Sequence, residues 1–569
     1  MTILSINNLS LSFKNDQGIH KALKPISFTI KRGQVCGIVG ESGSGKSITS
    51  LAIMGLLSKN AIIEGEIIYY DQNQTINLLS LSDNELRSYR GNKFAMIFQE
   101  PMTSLNPVMK CGEQVLEAIL NNQNISEYDA KQKVIALFNE VQLPRPEKIY
   151  NAYPHEISGG QKQRVMIAMA LSSNPELLIA DEPTTALDVT VQKNIIELLK
   201  KIKNERAMSM IFISHDLGLV AEIADEVLVM NKGELVEQNT SVEIFRHPKN
   251  NYTKGLIACK PNIHQQMKRL LTINDFVKEE TPIAEILNKQ TLSESEILSR
   301  RKSIENSEVI LEVKNLSKYY NINTGLFTVS KDKVYAVNDV SFKIYKGETL
   351  GLVGESGCGK TTLGRSILRL IEPDEGEILF KSDNILKYNT KELRAIRSKI
   401  QIIFQDPYSS LNPKMTIGQA LMEPMMIHKI GKTEINRKKI VLDTLENVGL
   451  LPEHFNRYPH EFSGGQRQRI CIARTLVLQP ELIICDESVS ALDVSVQAQV
   501  LNLLADLRDK FSLTYLFISH DLSVIKHISD RIMVMQKGKI VESGYPDLVY
   551  ANPQQEYTKE LIASIPDWN

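Results

Sequence analysis

The sequence predicts a duplicated α/β protein, and two observations support this prediction. A glycine-rich segment of the form G-x-x-x-x-G-K-[ST] occurs at residues 40–47 and again at residues 354–361. Each copy follows an apolar run typical of a buried strand and precedes an apolar-periodic segment typical of a helix. A strand, a glycine-rich turn and a helix in this order favour phosphate binding at the helix N-terminus. The chain is therefore expected to carry two phosphate-binding sites.

The glycine-rich segments are the predicted nucleotide cradles. Glycines let the backbone curl, so that successive N–H groups point at phosphate oxygens. The lysine then reaches the β and γ phosphates, and the hydroxyl that follows it binds Mg²⁺. The first cradle consists of Gly40, Glu41, Ser42, Gly43, Ser44, Gly45, Lys46 and Ser47, and the second of Gly354, Glu355, Ser356, Gly357, Cys358, Gly359, Lys360 and Thr361.

Two acidic pairs follow apolar strand-like runs, namely Asp181 with Glu182 and Asp486 with Glu487. In an open parallel sheet the carboxyl ends of the strands form the edge where ligands bind. We expect the aspartates to hold Mg²⁺ and the glutamates to polarise the attacking water. A bare acidic pair is more often a solvated surface feature. The apolar strand before it in both halves favours the catalytic interpretation.

A Ser-Gly-Gly-Gln segment lies between cradle and acids in each half, and each copy precedes a helical stretch. A serine followed by glycines is typical of a helix N-terminus, which is also a place for an anion. An ordinary helix cap is the alternative interpretation. The segment occurs at the same place before the acidic pair in both halves, which favours a functional role. The residues are Ser158, Gly159, Gly160 and Gln161, and Ser463, Gly464, Gly465 and Gln466.

A histidine follows a strand-like run in each half, at His215 and His520. A lone histidine in this position is usually structural. Its duplication favours a catalytic role for both histidines.

The domain organisation follows from the repeat. At 569 residues the chain exceeds one ordinary core, and halves of roughly 260 residues can each fold independently. The predicted domains are residues 1–261 and 308–569. Residues 262–307 lack the repeat and are rich in Lys, Glu, Gln and Asn, with scattered apolar residues. They are expected to form a partly docked linker. Extra residues around 321–334 are expected to form a surface loop.

Composition excludes several classes of protein. With 66 basic and 67 acidic residues, the net charge of −1 gives no drive toward nucleic acid, so no nucleic-acid partner is expected. Apolar runs are shorter than the ~18 residues of a membrane span, and the N-terminus does not resemble a secretion signal. Six cysteines without C-x-x-C spacing indicate reduced thiols rather than a metal site. Cys358 is a candidate reactive thiol because it lies in the second cradle.

Together these motifs resemble the nucleotide-binding subunits of ATP-binding cassette (ABC) transporters, and the chain is similar to two such subunits fused. The resemblance covers nearly all of the sequence outside the linker. It implies two P-loop NTPase cassette domains in tandem, each a mixed sheet core with a helical subdomain. It also implies an ATPase with ATP and Mg²⁺ as cofactors.

The resemblance implies further site residues. Gln99 and Gln405 match the glutamine loops and would serve both the metal and the catalytic step. Phe13 and Tyr320 match the adenine-stacking aromatics, although Tyr319 competes for the second position. The loops at 186–188 and 491–493 match the segment that follows the acids.

In this family the two halves face each other head to tail, so each ATP would lie between one half's cradle and the other half's Ser-Gly-Gly-Gln turn. ATP would then favour the closed pair, because it contacts both halves only when they are closed. Hydrolysis would reopen the pair. Neither predicted set lacks a lysine, acid or histidine, so both sites are expected to hydrolyse ATP.

Residues 100–107 and 406–413, and the tails at 247–254 and 552–559, resemble the peptide and nickel importer group. This implies two membrane permease subunits and a substrate-binding protein as partners. It also implies a peripheral location on the cytoplasmic face of the inner membrane. The predicted function is the ATP-hydrolysing subunit of an importer for oligopeptide-like substrates.

Two alternatives remain at this point. A soluble two-cassette ATPase that acts on the ribosome would also fuse two cassettes, but such factors usually carry a strongly charged helical arm and lack the Tyr-Thr-Lys tails. An importer of glutathione, opine or nickel would share every motif above. Substrate contacts would belong to the partner proteins, so the sequence leaves the substrate open.

Overall fold

The computed structural model describes residues 1–15, 18–71, 74–99, 104–185, 187–261, 265–278, 290–323 and 331–565. Their contacts divide the chain into two compact units. The first contains Met1–Ile257 and Ile273–Lys278, and the second contains Ala258–Thr272 and the later described residues through Ile565. Parts of the sequence predictions lie outside the described residues, namely 100–103, Ala186, the linker residues 262–264 and 279–289, and the loop residues 324–330.

The first unit is built on two sheets. Its strands are β1 (Thr2–Asn15), β2 (Gly18–Lys31), β3 (Val35–Val39), β4 (Ala61–Tyr70), β5 (Thr75–Asn77), β6 (Phe94–Ile97), β7 (Leu177–Asp181), β8 (Ser209–Ile213), β9 (Glu226–Asn231) and β10 (Glu234–Thr240). An antiparallel sheet has the order β2-β1-β4-β5, and a mixed sheet has the order β10-β9-β3-β8-β7-β6. In the mixed sheet only β10 runs antiparallel to its neighbour.

Central strands of the mixed sheet explain the apolar runs of the sequence. Strands β3, β7 and β8 are buried along their whole length. Parallel strands covered on both faces are apolar throughout, because neither face meets water. The cradle follows β3 and the acidic pair lies at the end of β7, so both lie at the carboxyl edge of one sheet.

The helices of the first unit surround this sheet. They are α1 (Lys46–Ile53), α2 (Asp83–Tyr89), α3 (Cys111–Asn122), α4 (Glu127–Glu140), α5 (Pro146–Asn151), α6 (Gly159–Leu171), α7 (Val189–Glu205), α8 (Leu217–Ile223), α9 (Ser241–Arg246) and α10 (Asn251–Ala258). Helices α3, α4 and α5 pack on one another, and α3 and α4 also pack on α6. They form the predicted helical subdomain, with Val115, Phe138 and Ile149 in its core.

The described part of the linker contains two helices, α11 (Ile273–Lys278) and α12 (Glu294–Glu305). The preceding segment is anchored within the second unit by Leu270. Its N–H donates to Asn502 Oδ1 at 2.9 Å, and its carbonyl accepts from Asn502 Nδ2 at 2.9 Å. Both residues are buried. On α12, Arg300 donates to both carboxylate oxygens of Asp530, at 2.9 and 3.1 Å.

The second unit repeats the architecture of the first. Its strands are β11 (Val309–Asn323), β12 (Lys331–Tyr345), β13 (Thr349–Val353), β14 (Glu375–Phe380), β15 (Asp383–Asn384), β16 (Ile400–Ile403), β17 (Leu482–Asp486), β18 (Thr514–Ser519), β19 (Arg531–Gln536) and β20 (Lys539–Gly544). The sheet orders are β12-β11-β14-β15 and β16-β17-β18-β13-β19-β20. Only β20 is antiparallel to its neighbour in the second of these sheets.

Nine α-helices occur in the described residues of this unit after β12. They are α13 (Lys360–Ile367), α14 (Thr390–Ile396), α15 (Ile417–Ile427), α16 (Glu434–Asn447), α17 (Gly464–Leu476), α18 (Val494–Phe511), α19 (Leu522–Ile528), α20 (Pro546–Ala551) and α21 (Glu556–Ala563). The tandem α/β fold with mixed sheets and helical subdomains is thus confirmed. Among the described residues, no helix combines the length and apolar character needed to cross a membrane.

Candidate nucleotide sites

The first phosphate cradle connects β3 to α1 and depends on glycine. Gly40, Gly43 and Gly45 have φ of +151°, +77° and +104°, in the region that favours glycine. A Cβ at Gly40 would also lie 2.1 Å from the carbonyl oxygen of Met230. The second cradle has the same backbone, with φ of +159° at Gly354, +80° at Gly357 and +112° at Gly359.

Each cradle lysine is buried and held by carbonyls of its own loop. Lys46 Nζ donates to the carbonyls of Gly40 at 2.8 Å and Glu41 at 2.9 Å. Lys360 Nζ makes the matching bonds to Gly354 at 2.7 Å and Glu355 at 2.9 Å. An ammonium group fixed inside an N–H-lined loop is placed for a phosphate anion.

The structure brings together the hydroxyl and the carboxylate predicted to bind the metal. Ser47 Oγ donates to Asp181 Oδ1 at 3.1 Å, and Thr361 Oγ1 donates to Asp486 Oδ1 at 2.9 Å. These are hard oxygen donors of the kind that Mg²⁺ prefers, so the chemistry of each pair fits the metal. Burial raises the pKa of Asp181 to about 6, and the neighbouring charge of Glu182 adds to the effect. A bound cation would favour the ionised form.

In the first site, three side chains converge on the carboxylate of Glu182. Its Oε2 accepts from Gln99 Nε2 at 3.0 Å and from Thr185 Oγ1 at 2.9 Å, and lies 3.1 Å from His215 Nδ1. Burial opposes ionisation, but the hydrogen bond and charge of His215 outweigh it and lower the pKa of Glu182. The glutamine, acid and histidine predicted as catalytic therefore form one cluster.

Glu487 occupies the same place in the second site. Its Oε2 accepts from Gln405 Nε2 at 2.8 Å and lies 3.5 Å from His520 Nδ1, while its Oε1 lies 3.8 Å from Lys360 Nζ. Burial again opposes ionisation, and the contact with His520 outweighs it to lower the pKa of Glu487. The second site thus assembles the same three predicted side chains.

Both glutamates have an unusual backbone that the sequence does not reveal. Glu182 and Glu487 each have φ of +49°, in the left-handed region that non-glycine residues rarely adopt. The N–H of Glu182 donates to the carbonyl of Ile213 at 2.9 Å, and the N–H of Glu487 donates to the carbonyl of Ile518 at 3.0 Å; both carbonyls lie on the adjacent strand. Strain of this kind is often found at functional positions, where the surrounding structure holds it in place.

The Ser-Gly-Gly-Gln turns are true helix caps. Ser158 Oγ accepts from the Gln161 N–H at 3.3 Å, and the Gln161 side chain accepts from the Ser158 N–H at 3.0 Å, which is a capping box at the start of α6. Ser463 and Gln466 repeat this box at α17. The ordinary-cap interpretation is therefore correct as local structure, and a role with nucleotide would be additional.

The second glycine of each turn allows close helix packing. A Cβ at Gly160 would lie 2.9 Å from Val191 Cγ1 on α7, and one at Gly465 would lie 2.3 Å from Val496 Cγ1 on α18. The loop that follows each acidic pair ends at the start of the same helix, α7 or α18. Asp188 caps α7 by accepting from the Val191 N–H at 2.9 Å. Asp493 does the same at α18 for Val496 at 3.0 Å.

The proposed adenine-stacking residues lie on the antiparallel sheets. Phe13 on β1 pairs with His20 and Ala61 on the neighbouring strands. Tyr320 on β11 is 47% exposed, with Lys318 Nζ 5.6 Å from the centroid of its ring. An exposed ring is compatible with stacking, and the role of both residues stays a prediction.

All six cysteines are free and buried, which agrees with reduced thiols. Burial also raises the pKa of Cys358. The thiolate form is therefore disfavoured, and the structure argues against the reactive thiol that its place in the cradle suggested.

Sequence analysis missed three side chains that the structure places at the sites. Thr185 donates to Glu182, as described above. The hydroxyl of Tyr252 accepts from the Glu41 N–H at 3.2 Å, and that of Tyr557 accepts from the Glu355 N–H at 3.0 Å. The Tyr-Thr-Lys tails recur in both halves, but nothing in their residue types indicates a contact with a cradle.

Family models match both halves of the chain. The model of the ABC transporter family matches residues 23–185 and 337–490. A model described as the oligopeptide/dipeptide transporter C-terminal region matches residues 236–285. Two ABC transporter cassettes in one chain define an ATPase of this family. The chain belongs to the ABC transporter family, and the predictions of family and of ATPase activity are confirmed.

Curated relatives match along nearly the whole chain. The glutathione import ATP-binding protein GsiA of Escherichia coli strain K12 is 46% identical over 580 residues, covering 99% of this chain and 89% of the relative. The protein of the same name from Shigella boydii serotype 4 is 46% identical over 576 residues with the same coverage. A solved dimeric ATP-binding cassette bound to ADP and phosphate has 29% identity and a TM-score of 0.38, covering 42% of this chain and 99% of that one.

Proposed function

We propose that the chain is the ATP-hydrolysing subunit of a membrane importer for oligopeptide-like substrates. The observation that supports this most strongly is the complete set of lysine, hydroxyl, aspartate, glutamate and histidine in both cassettes, in a chain 46% identical to import ATPases over 99% of its length. The matched oligopeptide/dipeptide transporter region adds to this support. Nothing in the site or the relatives favours the ribosome-acting alternative.

The proposed mechanism begins with MgATP at a cradle. The cradle amides and Lys46 would bind the phosphates of the first ATP, with Ser47, Asp181 and Gln99 as ligands for Mg²⁺. The second ATP would use Lys360 and Thr361 with Asp486 and Gln405. When bound, Mg²⁺ neutralises phosphate charge and supports the departure of ADP. Phe13 and Tyr320 would stack on the adenines.

The contact between each glutamate and its histidine suggests how hydrolysis is controlled. His215 Nδ1 lies 3.1 Å from Glu182 Oε2. A γ phosphate offers His215 a more highly charged acceptor. Donation to it would leave the carboxylate free to orient a water molecule, which then attacks phosphorus as Glu182 accepts its proton. His520 and Glu487 would act in the same way in the second cassette.

The coupling to transport rests on the proposed domain division, with cassettes at residues 1–261 and 308–569 and a linker at 262–307. Each ATP would be shared with the opposite cassette's Ser-Gly-Gly-Gln turn, so that binding closes the pair and hydrolysis reopens it. Residues 158–161 and 463–466 are the proposed shared contacts. Two permease subunits would receive this motion on the cytoplasmic face of the inner membrane.

The substrate class is also a proposal. The relatives are glutathione import proteins by name, and glutathione is a small peptide. A peptide-like cargo delivered by a substrate-binding protein is therefore favoured over nickel or an opine. Contacts with the cargo would lie on the partners rather than on this chain.

The test is reconstitution. The chain is to be purified with two candidate permease subunits and placed in liposomes with ATP inside. Uptake of labelled glutathione and of a labelled pentapeptide is then to be measured with a candidate binding protein outside. We expect uptake of at least one peptide, and none when Lys46→Ala and Lys360→Ala are combined. Recovery of the chain with ribosomes and never with membranes would contradict the proposal.

A further inference from the structure

One peptide group in each cradle is held at both of its ends. The carbonyl of Gly40 accepts from Lys46 Nζ at 2.8 Å, and the N–H of the same peptide unit, on Glu41, donates to the Tyr252 hydroxyl at 3.2 Å. The second cassette repeats the arrangement, with the Gly354 carbonyl 2.7 Å from Lys360 Nζ and the Glu355 N–H 3.0 Å from the Tyr557 hydroxyl.

The tyrosines reach the cradles from the tails. Tyr252 lies on α10 and Tyr557 on α21, and both belong to the Tyr-Thr-Lys segments. Both side chains are buried, with 6% and 7% of their surface exposed. Tyr252 packs in the main apolar cluster of its unit. A buried ring has few rotamers available, so the position of its hydroxyl is well defined.

The peptide group needs such an anchor because a glycine precedes it. Gly40 and Gly354 have φ of +151° and +159°, and glycine allows backbone rotations that other residues do not. A rotation of this peptide would remove one of the two carbonyls that hold the cradle lysine. A hydrogen bond at the N–H end opposes that rotation. The lysine at the carbonyl end and the tyrosine at the N–H end also polarise the group in the same sense, which strengthens both bonds.

We propose that Tyr252 and Tyr557 are positioning residues that hold the cradle lysines in place for the β and γ phosphates of ATP. The inference rests on the proposed role of Lys46 and Lys360 in phosphate binding. It gives the tails a function inside the ATPase, whatever the cargo of the importer. The same contact in two separate copies supports a role beyond the packing of one helix.

The experiment removes only the hydroxyls. Tyr252→Phe and Tyr557→Phe are combined in the full chain, and dissociation constants for ATP and AMP are measured together with kcat and KM. We expect the dissociation constant and KM for ATP to rise about fivefold, as for the loss of one hydrogen bond. Binding of AMP should stay unchanged, because AMP lacks the phosphates that the lysine contacts. The value of kcat should change less than twofold.

The matched control uses the neighbouring residues. Thr253 and Thr558 follow the tyrosines on the same helices, and their buried hydroxyls have no hydrogen-bond partner among the described residues. Thr253→Val with Thr558→Val therefore removes two hydroxyls without touching the cradle, and ATP binding should not change. Thermal unfolding without nucleotide shows whether each variant folds like the original chain.

The outcomes distinguish the positioning role of the tyrosines from the proposed phosphate binding by the lysines. Unchanged ATP affinity in the phenylalanine variant, or equal losses for ATP and AMP, would overturn the positioning role. Lys46→Ala with Lys360→Ala provides the second arm. If that variant loses ATP affinity while the phenylalanine variant does not, only the inference fails. If it keeps full ATP affinity, the proposed phosphate site itself is wrong.

Discussion

The two nucleotide sites share one set of functional side chains but differ around the carboxylate proposed to hold Mg²⁺. In the second site Arg365 Nε lies 4.0 Å from Asp486 Oδ2, whereas the fifth residue after the lysine in the first cradle is Leu51. Burial raises the pKa of both aspartates, and at Asp486 the charge of Arg365 opposes the rise. Duplication has thus kept the spacing of the site while changing its electrostatics.

The two glutamates proposed to activate water are also held differently. Thr185 donates to the carboxylate of Glu182 at 2.9 Å, whereas Ser490, the corresponding residue, donates to the backbone carbonyl of Glu487 at 2.9 Å. The distance from histidine to glutamate is 3.1 Å in the first site and 3.5 Å in the second. Complete residue sets therefore do not imply that the two sites behave equally.

The largest effect is expected from the glutamates. Glu182→Gln combined with Glu487→Gln should lower kcat about 10²–10⁴-fold while ATP stays bound, because the water loses its base and the phosphate contacts remain. Each single variant should keep less than half of the activity, since an unhydrolysed ATP in one site keeps the pair closed. Steady-state ATPase assays and retained nucleotide measure both quantities. Single variants with half of the activity would show independent sites and contradict coupled closure.

The next effect concerns the pH dependence of stability without nucleotide. Asp181 has a folded pKa of about 6, above its ordinary value of 3.8, so the stability from its neutral form is present below about pH 4 and is lost as pH rises through 6. At pH 7.5 its ionised form costs up to about 3 kcal/mol. Asp181→Asn should therefore raise the free energy of unfolding at pH 7.5, with a smaller gain at pH 5.

Urea unfolding between pH 5 and 8 measures this gain. Glu182 does not disturb the comparison, because its lowered pKa of about 2 keeps it ionised throughout that range. Asp486→Asn is the matched variant in the second cassette, and Arg365 should make its gain smaller. A gain for Asp181→Asn that is independent of pH would show that the buried charge is not its cause.

A smaller effect is expected at the glycines of the capped turns. Gly465→Ala should cost about 1–3 kcal/mol, because the new Cβ would lie 2.3 Å from Val496 Cγ1 and the stiff valine must move. Gly464→Ala is the control, since its nearest contact would be at 4.0 Å. Gly160→Ala, with a contact at 2.9 Å, should cost less than Gly465→Ala. Chemical denaturation gives the ranking, and equal costs at 464 and 465 would contradict the packing argument.

The smallest effect is expected at Arg365. Its side chain is 44% exposed, so its interaction with Asp486 is worth at most about 1 kcal/mol. Removing a cation beside the metal site should lower the Mg²⁺ concentration for half-maximal ATPase activity by up to about fivefold in Arg365→Leu. Leu51→Arg should shift the first site the other way. Both shifts in the half-maximal Mg²⁺ concentration should become smaller at high salt. Shifts that do not depend on salt concentration would exclude a Coulombic origin.

The sequence indicated which side chains gather at the sites better than it indicated the contacts that hold those side chains in position. Lys46, Ser47 and Asp181 belong to motifs whose residue types and spacing predict a role with nucleotide, and the structure places Ser47 Oγ 3.1 Å from Asp181 Oδ1. The contact of Tyr252 with Glu41 spans 211 positions and uses a backbone N–H. Every residue except proline has a backbone N–H, so the donor does not depend on the residue type, and no local sequence pattern could indicate this contact. The left-handed backbone of Glu182 is hidden for the same reason, since glutamate carries no preference for it.

The two hydrogen bonds between Leu270 and Asn502 have a consequence for how the gene could be divided. Residues 258–272 follow the first cassette in sequence but belong to the second compact unit. In the first cassette the residue that corresponds to Asn502 is Glu197, which cannot offer the amide donor that Leu270 uses. A break of the chain between residues 272 and 308 would separate the second module from the segment that satisfies its buried Asn502 amide, whereas a break before Ala258 would leave that segment attached. Division into two genes would therefore keep this contact only where the second gene begins before Leu270.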